Sequence, residues 1–346
     1  MARSAQRRKK QVTGVTKRIL VTGGAGFIGS HLTDALLAGG DQVTVVDDES
    51  TGSADNLSLI RGHERFSYVE GSVADSELME RLTADVEVVY HLAAAVGVAL
   101  IASKPLETIE RNIFPTELLF SLLRQRWKNG AQVKCFLAST SEVYGKNPKS
   151  VWSEDDDLVF GSTTRPRWSY GASKAIDEFL ALASWREHRL PVVIGRFFNV
   201  VGPRQTGAYG MVLPRFADAA VQNRPLTVHD DGQQIRCFAH VRDVVQAVIR
   251  LMDCEAALGR VFNIGSDQPV AILELARQTI AAAGSKSTIQ FQSYSQAYDD
   301  DFEDIRRRIP DLSRLRATIQ YQPQLDLGAI IRDVVQSKRG GKSAEE

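Results

Sequence analysis

From Lys17 onward the chain alternates between short runs of β-branched and apolar residues and longer segments in which apolar side chains return every third or fourth position. The short runs predict strands at Arg18 to Thr22, Gln42 to Val46, Phe66 to Val69, Val86 to His91, Val133 to Ala138 and Pro191 to Arg196. Their apolar density suits strands covered on both faces, as in parallel sheets. The longer segments predict helices: Ile28, Leu32 and Leu36 form one stripe, and Ala175, Phe179 and Leu182 another, both expected to face the core. Strand, helix, strand in succession predicts an α/β fold with a doubly wound parallel sheet. After Gly202 the elements shorten and are punctuated by Pro203, Pro214, Pro225, Gly232, Gly259, Pro269 and Pro310, which predicts a smaller C-terminal α+β lobe. The expected organisation is a basic tail over 1–16, a first domain over 17–200, a second lobe over 201–335 with segments interleaved across a soft boundary, and a tail over 336–346. The cleft between the lobes is the expected ligand site.

Composition narrows the function by exclusion. Across 346 residues Lys plus Arg and Asp plus Glu both number 42, so no global charge excess calls for nucleic acid, and an anionic ligand must be held by particular residues. Cys135, Cys237 and Cys254 are too few and too scattered for a disulfide framework or a metal knuckle, which predicts a reducing, cytoplasmic setting. No apolar stretch is long enough to span a bilayer. His31, His63, His91, His188 and His240 show no ligand spacing, so no metal is expected. Arg3, Arg7, Arg8, Lys9, Lys10 and Lys17 precede the first acid, Asp34, and read as a solvated tail.

Leu20 to Gly29 reads LVTGGAGFIG, setting Gly23, Gly26 and Gly29 between the first strand and the first helix. A glycine turn there lets backbone approach a pyrophosphate and presents the helix N-terminal amides to it. Glycines alone are weak grounds; here they follow a strand, precede an amphipathic helix, and have Asp47 about twenty residues on, where a ribose hydroxyl is met. Asp47, Asp48 and Glu49 put negative charge where the 2′-phosphate of NADP would sit, so NAD is the expected cofactor. The glycine spacing resembles the short-chain dehydrogenase/reductase family. That resemblance implies a Rossmann-type NAD-binding domain over 17–200, its cofactor site completed by Phe27, Ile28, Ser72, Val73, Leu92, Ala93, Ala94, Tyr170 and Lys174. Relatives usually carry an Asp at the position of Ser72, near the adenine, so that contact differs here.

In SYGASK, Tyr170 and Lys174 are four apart and share a helix face. A phenol of pKa about 10 becomes a usable base when an ammonium and a positive nicotinamide ring favour its anion. The pair is common on helix surfaces, and gains weight from the glycine turn and from LASTSEVYG, Leu137 to Gly145, at a strand's carboxyl end. Together these motifs resemble the extended branch of the family, the nucleotide-sugar epimerases, dehydratases and decarboxylases, over about residues 17 to 335. The resemblance makes Thr140 the hydroxyl partner of Tyr170 and Lys174. Beside it stand Ser141 and Glu142, the pair found in UDP-glucuronate decarboxylases; GDP-mannose dehydratases also show Thr-Ser-Glu but generally use NADP, which the Asp47 cluster disfavours, while epimerases tend to carry small residues there and many 4,6-dehydratases Asp-Glu.

In the second lobe the resemblance assigns Asn199 and Arg236 to the diphosphate, Arg215 to a place beside the nucleotide, and Leu226, Thr227, Val228 and His229 to a uracil pocket lined by backbone. His229 replaces the usual Tyr. Arg308, in Arg-Ile-Pro-Asp, aligns with an Arg that faces the reacting sugar and could clamp a carboxylate; by itself it could equally be one of a basic run, Arg306 to Arg308, balancing Asp299, Asp300, Asp301, Glu303 and Asp304. The expected reaction is decarboxylation of UDP-glucuronate through C4 oxidation, giving a UDP-4-keto-pentose or UDP-xylose. Its rivals are a UDP-sugar 4-epimerase and a 4,6-dehydratase. The family habit implies a homodimer joined as a four-helix bundle by the Tyr170 helix and the helix of about Pro105 to Lys128, with Leu118, Leu119 and Leu122 offering an apolar face.

Overall fold

The computed structural model describes residues 16–95, 104–207, 211–294 and 305–340, so most of the expected N-terminal tail and the acids from Asp299 to Asp304 lie outside the described residues. The larger unit is a sheet of seven parallel strands: β1 (Arg18–Thr22), β2 (Gln42–Asp47), β3 (Phe66–Glu70), β4 (Val88–His91), β5 (Lys134–Thr140), β6 (Val192–Phe197) and, after four short strands, β11 (Arg260–Ile264). Those four are β7 (Val200–Val201), β8 (Leu226–His229), β9 (Ile235–Cys237) and β10 (Ala239–His240). The order across the sheet is β11-β6-β5-β4-β1-β2-β3, a reversal of direction between β1 and β4 that opens a crevice at their carboxyl ends.

Side-chain alternation explains why both faces must be covered. In β1, Ile19 and Val21 enter one apolar cluster and Leu20 the other; in β4, Val88 and Tyr90 oppose Val89; in β5, Phe136 opposes Cys135 and Leu137. The first cluster is closed by Leu32 and Leu36 of α1 (Phe27–Ala38), together with residues 244–252 of a later helix. The second is closed by Met79 of α2 (Ser76–Thr83), Leu119, Phe120 and Leu123 of α3 (Pro105–Lys128), and Ala181 of α4 (Ser169–His188). Two expectations about stripes change. Leu119 is buried, with Leu118 and Leu122 packed partly against the same core, so those leucines serve the sheet. Phe179, expected inside, is 67% exposed.

The second lobe builds its own core from Leu213 and Phe216 of α5 (Val212–Val221), Leu226 and Val228 of β8, Leu275 of α7 (Ile272–Ala283) and Ile330 and Val334 of α9 (Leu327–Gly340). Between α5 and α7 in sequence, α6 (Val241–Met252) returns to pack on α1, and β11 returns to the large sheet beside β6. The lobe also holds β12 (Pro269–Ala271), β13 (Ile289–Gln292), which pairs with β8, and β14 (Arg307–Arg308), which pairs with β9; α8 (Ser313–Ile319) packs back against α6 and β11. Helix α9 continues through residues 336–340, where a tail was expected, and Lys338 Nζ donates to the Gln205 carbonyl at 2.8 Å.

Candidate functional site

A cavity of about 790 Å³ runs along the carboxyl ends of β1, β2, β4 and β5 and into the second lobe. Its far end is the glycine turn. Gly23 has φ +70°, and a Cβ there would lie 2.7 Å from the Ala93 nitrogen; at Gly29 a Cβ would stand 2.2 Å from the Gly23 carbonyl oxygen. Only glycine lets the turn close on the strand β4 exit while α1 begins at Gly26 as its N-cap. Asp47 ends β2 with Oδ2 accepting from Ala25 N and Oδ1 from Glu49 N, both at 2.9 Å, so it braces the turn as well as facing the cavity. Burial raises its carboxyl above the usual range. Of its acidic neighbours, Asp48 is paired with Arg111 at 2.6 Å and Glu49 accepts from the Tyr68 hydroxyl at 2.8 Å. Phe27, Ile28, Ser72, Val73, Leu92, Ala93 and Ala94 all line this end.

The middle of the cavity holds Thr140, Ser141, Glu142, Tyr170 and Lys174. Gly171 makes this meeting possible, since a Cβ there would come within 2.5 Å of the Glu142 carbonyl oxygen. Helix α4 is further locked to the sheet by Glu178, which takes a fork of bonds from Arg196 of β6, the shortest 2.7 Å, and one from the Ser139 hydroxyl of β5 at 2.5 Å. Thr140 caps the turn carrying Glu142, accepting from its N–H at 3.2 Å, and hydrogen-bonds Tyr170. The sequence led us to expect an ammonium lowering the Tyr170 phenol; instead burial, then the Glu142 charge, push it up, with Thr140 pulling the other way. Lys174 Nζ is spent on Asp177 Oδ2 at 2.8 Å, both side chains buried.

Glu142 sits between two guanidinium groups. Arg308 bonds Oε1, and Arg167 bonds Oε2 at 2.7 Å. Burial acts to raise the carboxyl, but Arg308 and then Arg167 outweigh it and hold it down to about 2. Arg167, Arg308 and the glutamate between them all line the cavity together with Tyr170. Sequence reasoning named Arg308 and missed Arg167, Asp177 and Glu178. Arg167 lies one turn before Tyr170, on the short 3-10 turn Pro166–Trp168 that leads into α4.

The second lobe brings Asn199, Thr227, His229 and Arg236 to the cavity. Asn199, at φ +32°, donates from Nδ2 to the Cys237 carbonyl at 3.0 Å, tying the end of β6 to β9. His229 stacks on Tyr294, ring centroids 5.7 Å apart, and Gln234 donates to both the His229 carbonyl and the Tyr294 hydroxyl at 3.0 Å. The pleat of β8 turns the Leu226 and Val228 side chains into the lobe core and those of Thr227 and His229 to the cavity, so the first two could meet a ligand by backbone alone; Arg215 stands exposed on α5 outside the cavity lining. Arg306, read as balancing nearby acids, instead forks onto Asp230 and Asp231. Among the described residues no group of three or more His, Cys, Asp or Glu could hold a metal ion, and no helix is long and apolar enough to cross a membrane.

The family model described as GDP-mannose 4,6 dehydratase matches residues 20–334. A UDP-N-acetyl-alpha-D-glucosaminuronate decarboxylase of Bacillus cytotoxicus is 39% identical over 321 residues, 92% of this chain and 97% of that one. UDP-glucuronic acid decarboxylase 1 of Xenopus tropicalis is 33% identical over 311 residues, 90% and 69% of the two chains. The fold is that of the Bacillus cereus UDP-glucuronic acid 4-epimerase in complex with UDP-glucuronic acid and NAD, with a TM-score of 0.83, 27% identity, and 93% and 99% coverage. With its glycine turn, its Thr140, Tyr170 and Lys174 constellation and a match over nearly its whole length, the chain belongs to the family described as GDP-mannose 4,6 dehydratase, within the extended short-chain dehydrogenases/reductases.

Proposed function

We propose that the protein is an NAD-dependent decarboxylase of a UDP-activated hexuronate, with UDP-glucuronate the leading substrate. One observation carries the reading: Arg167 and Arg308 meet at the Glu142 carboxylate beside Tyr170, setting two guanidinium groups at the reacting centre. A neutral hexose has no use for them; a sugar carboxylate does. The names of the two decarboxylase relatives, both acting on UDP-hexuronates, support the same substrate class.

The glycine turn fits a dinucleotide, because Gly23 and Gly29 let it close tightly on backbone that any side chain would strike, so that its amides edge the cavity, and Asp47 faces the place of the ribose. When bound, NAD supplies the hydride acceptor for C4. Tyr170 takes the C4 hydroxyl proton, with Thr140 bonded to its oxygen and Lys174 steadying the site. With C4 a ketone, the C6 carboxylate is β to a carbonyl, and the electrons left by departing carbon dioxide pass into an enolate whose oxygen Thr140 and Tyr170 stabilise. Arg308 and Arg167 orient the carboxylate, the ionised Glu142 between them fixes both guanidinium groups, and C5 takes its proton from water beside Ser141. Asn199 and Arg236 line the route of the diphosphate, and Thr227 and His229 that of the base.

A 4-epimerase of the same uronate is the second reading, favoured by the likeness to the Bacillus cereus enzyme. Incubation with UDP-glucuronate, UDP-N-acetylglucosaminuronate and UDP-glucose, followed by mass spectrometry, decides: loss of carbon dioxide is expected from a uronate, and a product of unchanged mass from every uronate would overturn the decarboxylase reading.

The working unit we propose is a homodimer with a four-helix bundle. Leu106 and Phe114 of α3 and Ile176 and Phe179 of α4 are 67%, 64%, 49% and 67% exposed, an apolar patch across the two adjacent helices. A cytoplasmic setting fits three cysteines that are all free.

A further inference from the structure

Lys174 is not the end of its hydrogen-bond chain. Its ammonium donates at 2.8 Å to Asp177, one turn on along α4, and the two side chains are 3% and 1% exposed. The Thr116 hydroxyl of α3 lies near the same carboxylate and donates to the Asn112 carbonyl at 2.7 Å. Thr116 is 3.1 Å from His91 Nε2 at the end of β4, and His91 Nδ1 is 2.8 Å from the Thr22 hydroxyl at the end of β1. A buried line of groups thus runs from the strand leading into the glycine turn to the lysine beside Tyr170. His91 is neutral in it, since burial first and the Lys174 charge second push it down to about 3.

Stability does not explain this arrangement. A buried ion pair gains little over an apolar pair of the same volume, because desolvating both charges offsets their attraction. Nor is Asp177 needed to anchor α4, which Glu178 already ties to Arg196 and Ser139. Its charge has a consequence for the hydroxyl one turn back, however. A carboxylate paired to the ammonium cancels most of the field that a lone lysine would exert on Tyr170, and in a low-dielectric site that field is large.

On the reading that Tyr170 is the base, we infer that Asp177 is a positioning residue which holds the Lys174 ammonium and screens it from Tyr170, so setting the pH at which Tyr170 gives up its proton. The groups that bear on this are Lys174, Tyr170 and Glu178 of α4, Thr116 and Asn112 of α3, His91 of β4, and Glu142 after β5. Of the acids, Glu142 and Asp177 both raise the Tyr170 phenol. Asp177 is the one whose removal frees the ammonium on the same helix as Tyr170.

The test is a fluorine NMR titration of fluorotyrosine-labelled protein, the Tyr170 resonance being assigned by its loss in Tyr170→Phe. Asp177→Asn should move the Tyr170 midpoint down by about one pH unit, a tenfold rise in phenolate at a given pH. Asp177→Glu, which keeps the charge, should leave it within a few tenths of the parent. In a Lys174→Met background Asp177→Asn should move it much less, because the freed cation is gone. Should Asp177→Asn fail to fold by circular dichroism, Asp177→Ser, smaller and equally neutral, takes its place. An unmoved or rising midpoint in the neutral variants, or an equal fall in Asp177→Glu, overturns the proposal. Each titration is run with and without NAD. Indifference of Tyr170 to NAD strikes the cofactor reading instead, and leaves the ligand-free comparison of variants to judge Asp177.

Discussion

Replacing Glu142 by Gln keeps the length and one acceptor oxygen while removing the charge that two buried arginines share. Bringing a carboxyl from its ordinary value near 4.5 down to about 2 corresponds to about 3 kcal/mol, at about 1.4 kcal/mol per pH unit, and the side chain is 14% exposed, so solvent screens little of it. Because the folded carboxyl lies below its unfolded value, this contribution is complete above pH 4.5 and fades as the pH falls towards 2. Glu142→Gln should therefore be about 3 kcal/mol less stable than the parent at pH 7 in urea unfolding followed by tryptophan fluorescence. The gap should narrow to about 1.4 kcal/mol near pH 3, where the parent is itself largely protonated on unfolding. In catalysis the variant should bind NAD and UDP-glucuronate yet release carbon dioxide about a hundredfold more slowly, the scale of losing one preorganised electrostatic group, because the two arginines lose the anion that fixes them. A loss under about 1 kcal/mol at pH 7, or one that does not change with pH, would refute the clamp. Native-rate decarboxylation would remove Glu142 from the chemistry.

Tyr170→Phe should retain NAD binding by calorimetry and form no NADH on mixing with UDP-glucuronate, whereas any absorbance burst at the parent's amplitude would remove Tyr170 from the oxidation step. NAD should bind more tightly than NADP, since Asp47 faces the cavity and only Asp48 of its neighbours is matched by an arginine; equal affinities by titration would show that Arg111 has reversed the local charge. Phe179→Asp should convert the dimer to monomer by light scattering without loss of helix content, because the ring is largely exposed in the single chain, and an unchanged mass would put the interface elsewhere.

The fold was legible because the chain repeats a strong signal: the inner strands of the large sheet are apolar on both faces, and each helix is bracketed by a turn. The site was legible wherever function rests on a short contiguous motif, as at Gly23 to Gly29, Thr140 to Glu142 and Tyr170 to Lys174, all of which line one cavity. What escaped has a common physical origin. The stripe through Ala175 and Phe179 has the right spacing for a helix but says nothing about which neighbour covers it: Ala175 is buried and Phe179 faces outward. Period alone fixes a face, and only tertiary packing says whether that face meets the sheet or another subunit.

Charge is harder still to read, because a side chain's role depends on a partner remote in sequence. Arg167 and Arg308 are separated by more than a hundred residues yet share one carboxylate, and Glu178 acts through Arg196 and Ser139 on two different strands. In the sequence, Asp177 and Glu178 are two ordinary acids on a helix, of the kind that usually meets water. One turn of α4 sets one against Lys174 and the other against a strand arginine, both out of solvent. Two burials of like charge side by side are tolerable only because each has its own cation, and exchanging the pairings would leave Lys174 facing the sheet rather than the cavity. The order Lys, Asp, Glu along this helix therefore fixes which cation belongs to the chemistry and which to the fold.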